Sequence, residues 1–284
     1  MKCKRVAAFI ICSCMMLTGC AGHTNEEEIT TTENFVLEHP ASTTEAGAED
    51  TTEDDAEKND TESTTQEVKN PREDILIAID PGHQGPNVDM SEKEPNAPGS
   101  SEMKMKATGG TTGKYTGVPE YQLNLSISLK LRDELVSRGY RIIMTREDND
   151  TAISNVERAC LANDSGADIS IRIHANGSED SGINGALALV GSSSNPYVGH
   201  LYDDSYRLAD NVLSSYCEST GMKNLGVTAN DTMTGINWSQ IPVIILEMGF
   251  MSNEQDDRNM EDADYQTLMV EGIVNGIENY YGFD

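Results

Sequence analysis

Strand-like and helix-like segments alternate along residues 75–281, and that alternation restricts the fold more than any other feature. Residues 75–80 (Ile-Leu-Ile-Ala-Ile-Asp) are a short apolar run closed by Pro81-Gly82, which predicts a buried strand and a turn. Residues 140–145, 169–174, 186–190 and 243–246 predict further strands, the 169–174 run by strict alternation and the last by continuous apolar character. Between them, Leu123, Ile127, Leu131 and Leu135 recur every four residues, widened by Leu125 and Leu129. They mark the apolar stripe of a helix that Pro119 opens and Gly139 closes. Helices are also predicted over 154–163, where Ser154 and Glu157 have capping-box spacing, over 201–219, and over 264–281 through Leu268, Ile273 and Ile277. The expected class is α/β: three layers, α/β/α, with a mostly parallel twisted sheet flanked by helices. Residues 84–118 show no period and read as one long loop.

Three of these strands run into polar side chains. The first leads to His83, the 169–174 strand ends in His174, and the last leads to Glu247. Open α/β sheets build their sites at the carboxyl ends of strands, so the three converge. Glu120 can join from the first turn of its helix. Taken singly, each has an ordinary reading: a histidine after a strand is usually a loop residue, and a glutamate at a helix start is favoured by the dipole. Glu247 is harder to set aside, because burying an unpaired carboxylate costs several kcal/mol. Two imidazoles and a carboxylate with an open fourth position suit a catalytic zinc ion. Such an ion lowers the pKa of bound water to about 7 and polarises a carbonyl. A further carboxylate must then carry the proton, and Glu247 fits that role. Arg172 shares a strand face with His174 and can hold a substrate carboxylate or pair with a neighbouring acid. Asn176 can orient substrate or its own loop.

The chain carries 48 acidic and 20 basic residues, a net charge of −28, which excludes nucleic acid as a partner. Lys2, Lys4 and Arg5 precede an apolar run over 6–17, the length of a signal peptide and too short to span a bilayer. The run ends in Leu17-Thr18-Gly19-Cys20, which resembles a bacterial lipobox. The expected organisation is a lipoprotein signal peptide at 1–19, a lipidated Cys20 with a disordered acidic Thr-rich tether over 20–72, and a catalytic domain over 73–284. A lipid on Cys20 would anchor the chain to the outer face of the bacterial cytoplasmic membrane. Cys160 and Cys217 each fall in a helical stretch and are expected to be free thiols.

The segments IDPGHQG, VPEYQLNLSISLKLRDELVSRGY, VERACLANDSGADISIRIHAN and PVIILEMGFMSN, in that order, resemble the zinc-dependent N-acetylmuramoyl-L-alanine amidases of the cell-wall amidase-3 type. The resemblance covers about residues 74–282. It implies peptidoglycan as substrate and cleavage of the amide between N-acetylmuramic acid and L-Ala of the stem peptide. By position it implies one Zn2+ ion held by His83, Glu120 and His174, with Glu247 as the catalytic carboxylate. Two features depart from the family pattern: Pro119-Glu120-Tyr121 at the helix start, and Arg172 two residues before His174. Trp238, the only tryptophan, can line a glycan groove or pack. The other readings are a zinc peptidase acting within the stem peptide and a non-catalytic wall-binding lipoprotein. A monomer is expected.

Overall fold

The computed structural model describes residues 69–283. The signal segment, Cys20 and nearly all of the expected tether lie outside the described residues. The folded body reaches back to Asn70, whose side chain accepts the Arg72 N–H to start a 3-10 turn over Pro71–Asp74. Arg72 then pairs with Glu278 in the last helix (Nε to Oε1, 3.0 Å), tying the start of the body to its end.

The main sheet has six strands: β1 (Leu76–Pro81), β4 (Arg141–Met144), β5 (Ile169–Asn176), β6 (Ala186–Val190), β7 (Asn224–Ala229) and β8 (Val243–Phe250). Their order is β4-β1-β5-β8-β6-β7, parallel throughout except where β6 meets β8 antiparallel. The 84–118 segment holds the antiparallel pair β2 (Lys93–Pro95) and β3 (Met103–Met105). This corrects the expectation of an unbroken loop; these strands are three residues long and largely exposed, so no hydrophobic alternation announces them.

Helices α1 (Glu120–Ser137), α3 (Tyr202–Thr220) and α6 (Ala263–Tyr281) cover one face of the sheet. The stripe Leu123, Ile127, Leu131 and Leu135 is fully buried there against Ile77 and Ile79 of β1 and Ile169, Ile171 and Ile173 of β5. Helices α2 (Asn155–Ser165) and α4 (Thr234–Asn237) cover the other face, and α5 (Glu254–Glu261) packs against β8 and α6. Helix α2 carries the expected capping box, with Ser154 and Glu157 satisfying each other's backbone. In α6 the buried stripe is Met269, Val270, Ile273, Val274 and Ile277, whereas Leu268 is 40% exposed and not part of it as expected.

Of the two expected free thiols, Cys217 is one, sealed into the core. Cys160, partly buried on α2, is not free, which corrects that expectation.

Strand order explains where a site can form. The chain leaves β1 to one side for β4 and returns on the other side to β5. The carboxyl ends of β1 and β5 are therefore a switch point, where the outgoing connections diverge and leave a crevice.

Candidate metal centre

His83 follows β1 across Pro81-Gly82 and has φ 61°, the one non-glycine residue in the left-handed region among those described. That conformation costs a β-carbon residue about 1–2 kcal/mol and persists only where its surroundings hold it. Here two buried arginines hold it. Arg158 donates to the carbonyls of Pro81 (2.7 Å) and His83 (2.8 Å), and Arg146 to those of Pro81 (2.9 Å) and Gly82 (2.9 Å). Gly82 is required by contact: a Cβ there would lie 2.3 Å from the His174 ring.

His174 sits near the end of β5 on the face opposite the Ile169–Ile171–Ile173 row. Glu120 opens α1. Its Oε1 lies 3.0 Å from His83 Nε2 and 3.2 Å from His174 Nδ1. The two rings meet edge to face at 4.8 Å between centroids. One ligand atom from each of the three residues falls within 4.8 Å of the others. The other atoms are held in place. His83 Nδ1 lies 2.9 Å from the Thr108 carbonyl, the Thr111 N–H donates to Glu120 Oε2 (2.9 Å), and Asn124 Nδ2 and the Ala175 N–H reach Oε1 at 3.3 and 3.2 Å. Such outer contacts fix ligand tautomer and aim.

The electrostatics suit a cation. Burial favours the neutral form of Glu120, but the hydrogen bonds from His174 and His83 outweigh it and hold the carboxyl well below the usual range. Burial lowers the His174 pKa to about 4 against the pull of Glu120, leaving a neutral imidazole at pH 7 with a lone pair to give. His174 Nε2 is buried without a hydrogen-bond partner. Two imidazoles, that of His174 neutral, and an ionised carboxylate form a donor set that fits zinc.

Glu247 belongs within β8, which runs to Phe250 rather than stopping at 246. It stands directly beside His174 in the parallel register. One of its carboxyl oxygens, Oε2, is buried with no protein partner. Burial first, then the negative charge of Glu120, raises its pKa to about 8.

Arg172 is used differently. It is 5% exposed, its Nε lies 2.7 Å from Asp80, and Nη2 donates to Asn155 (2.8 Å). Of the two readings left open for Arg172, its contacts show the ion pair with a neighbouring acid. Asp80 also pairs with Arg158 at 2.6 Å; burial raises its carboxyl, and the two arginines outweigh that and hold it well below the usual range. Asn176 accepts the Gly177 N–H (2.8 Å) and shapes the end of β5. Trp238 packs, 7% exposed, with Nε1 donating to the Pro95 carbonyl. Arg146, Arg158, Thr108 and Asn124 escaped sequence reasoning. Only Asn124, one helical turn after Glu120, had a spacing that points at the site.

Residues 77–279 match the Amidase_3 family, described as N-acetylmuramoyl-L-alanine amidase. The uncharacterised protein YqiI of Bacillus subtilis is 31% identical over 165 residues, 58% of this chain and 76% of YqiI. The N-acetylmuramoyl-L-alanine amidase LytC of the same organism is 27% identical over 217 residues; that is 76% of this chain but only 37% of LytC. The crystal structure of the N-acetylmuramyl-L-alanine amidase Ami1 from Mycobacterium smegmatis superposes with a TM-score of 0.67 at 23% identity, covering 74% of this chain and 98% of Ami1, a likeness of fold. With a family match spanning the whole sheet and all four converging side chains, the chain belongs to the Amidase_3 family of N-acetylmuramoyl-L-alanine amidases.

Proposed function

We propose that the chain is a zinc-dependent peptidoglycan amidase, with His83, Glu120 and His174 holding the ion and Glu247 moving the proton. The supporting observation is the meeting of two imidazoles on one oxygen of Glu120, with Glu247 beside His174 on the next strand. Zinc in such a set supplies a positive charge that polarises the scissile carbonyl, acidifies water to a pKa of about 7 and pulls the neighbouring carboxyl down from its metal-free value. Glu247, once ionised, takes the proton of the attacking water and returns it to the L-alanine nitrogen as the C–N bond breaks. Its burial keeps bulk water from competing for that proton. Thr108 keeps His83 aimed, Thr111 and Asn124 keep Glu120 aimed, and the arginine clamp keeps His83 in its strained turn.

On this reading the enzyme works outside the cytoplasm on the cell wall. We assign its retention to a lipid on Cys20 after removal of residues 1–19, with the residues from 20 up to the folded body at Asn70 as a spacer between membrane and catalytic body. No helix among the described residues is long and apolar enough to cross a membrane. The test is digestion of purified peptidoglycan with the zinc-loaded chain. New L-alanine amino termini with intact glycan are expected. Cleavage inside the stem peptide, or no release of ends, contradicts the proposal.

A further inference from the structure

A cleft of about 480 Å³ lies beside the His–Glu–His cluster. Three segments that build the cluster run into its walls. Thr111, whose N–H holds Glu120, lines it. So do Gly177 and Ser178, three and four residues beyond His174, and Ser252, five beyond Glu247. Among the described residues its only charged lining residues are Lys114 and Glu179, and both are exposed. Neither makes an ion pair with another described residue. The Lys114 ammonium instead lies 5.7 Å from the centre of the Tyr115 ring.

The loop carrying Lys114 is held rigidly. The Lys114 N–H donates to the Met251 carbonyl (2.9 Å). Asp257, fully buried at the start of α5, accepts the N–H groups of Tyr115 (2.7 Å) and Thr116 (3.0 Å) and the Thr116 hydroxyl (2.7 Å). A lysine held by a fixed backbone and a glutamate with no ion pair among the described residues, lining one cleft in a chain of net charge −28, are charges set for a ligand that carries both signs. Three residues of extended peptide span about 10 Å, so a chain with its amide at the cluster reaches this cleft with its next one or two residues.

We propose that this cleft binds the stem peptide beyond the scissile amide, with Lys114 taking the free carboxylate of the second residue and Glu179 the side-chain ammonium of the third. The inference rests on the amidase reading and names what that site recognises. Stems whose second-residue carboxylate is amidated, or whose third residue has no free amine, are then the poorer substrates.

Three synthetic muramyl tripeptides test it on the zinc-loaded full chain: MurNAc-L-Ala-D-isoglutamyl-L-lysine, its D-isoglutamine counterpart, and its Nε-acetyl-lysine counterpart. All carry a C-terminal amide, so the terminal carboxylate is absent from every arm. Exposed charge pairs of this kind discriminate by about three- to fivefold at low salt and lose that in high salt. KM for wild type is expected to rise by about that factor on amidation and on acetylation, with kcat unchanged. Lys114→Gln should erase the difference between isoglutamate and isoglutamine, Lys114→Arg should restore it, and Glu179→Gln should erase the penalty of acetylation alone. Equal wild-type KM for all three substrates, or an unchanged isoglutamate preference in Lys114→Gln, overturns the inference and leaves the amidase reading standing. Release of no L-alanine amine from any of the three overturns both.

Discussion

Glu247 and His174 stand side by side on adjacent strands with pKa values displaced in opposite directions, to about 8 and about 4. Without metal, this makes stability depend on pH in a way that identifies each group. Glu247 has an ordinary value of 4.5, so between 4.5 and about 8 the folded chain holds a proton that the unfolded chain has lost, and stability falls as pH rises. His174 acts oppositely between about 4 and 6.5, where the unfolded chain binds the extra proton and stability rises with pH. The two oppose one another below 6.5, and Glu247 acts alone from there to about 8. The metal-free chain should therefore lose stability from pH 6.5 to 8 in denaturant melts, and Glu247→Gln should flatten that slope. An equal slope in the variant contradicts the assignment. His83, His174 and Glu247 were legible because each follows an apolar run that fixes where its backbone ends. Arg172 was only half legible: strand alternation gives its face, but its partner Asp80 comes from a strand some 90 residues earlier.

Among the elements, the contact of α3 with α6 shows what periodicity leaves out. Both helices were predictable from their stripes, but their closeness depends on Gly272 and Gly276, one turn apart on α6. A Cβ on Gly276 would lie 2.4 Å from Val212 Cα, against backbone that cannot yield. Gly276→Ala gains about 1 kcal/mol of helix propensity. Overpacking costs about 1–3 kcal/mol or more, and with backbone as the obstacle the cost prevails. A net loss of about 1–2 kcal/mol is expected in urea midpoint shifts at unchanged m-value, and a stabilised variant contradicts the close approach. Short exposed elements were invisible for the converse reason. Strands β2, β3 and β7 bury too little to impose a pattern, and β7 (Asn224–Ala229) has no fully buried residue. Strand β8 extends past 246 because Met248 and Phe250 remain buried beyond Glu247, a continuation hidden by the polar residue between.

For the whole molecule, parallel β1, β5 and β8 carry three site residues to one edge, and α1 adds the fourth by starting at that same edge. Strand order itself was not legible, since β6 enters against the other strands and nothing in its five residues records direction. The proposed anchor gives a separate expectation. Cys20→Ser should move the chain from the membrane fraction to the soluble fraction without altering hydrolysis of soluble muropeptides, and unchanged fractionation contradicts lipidation at Cys20.

The most direct measurement is zinc per chain alongside amide hydrolysis for wild type, His174→Ala and Glu247→Gln. The account predicts one zinc in wild type and in Glu247→Gln, with hydrolysis in the latter slower by about 10²–10⁴-fold, and no retained zinc in His174→Ala. A His174→Ala chain that keeps its zinc, or a Glu247→Gln chain that loses it, contradicts the division of the site into three ligands and one proton carrier.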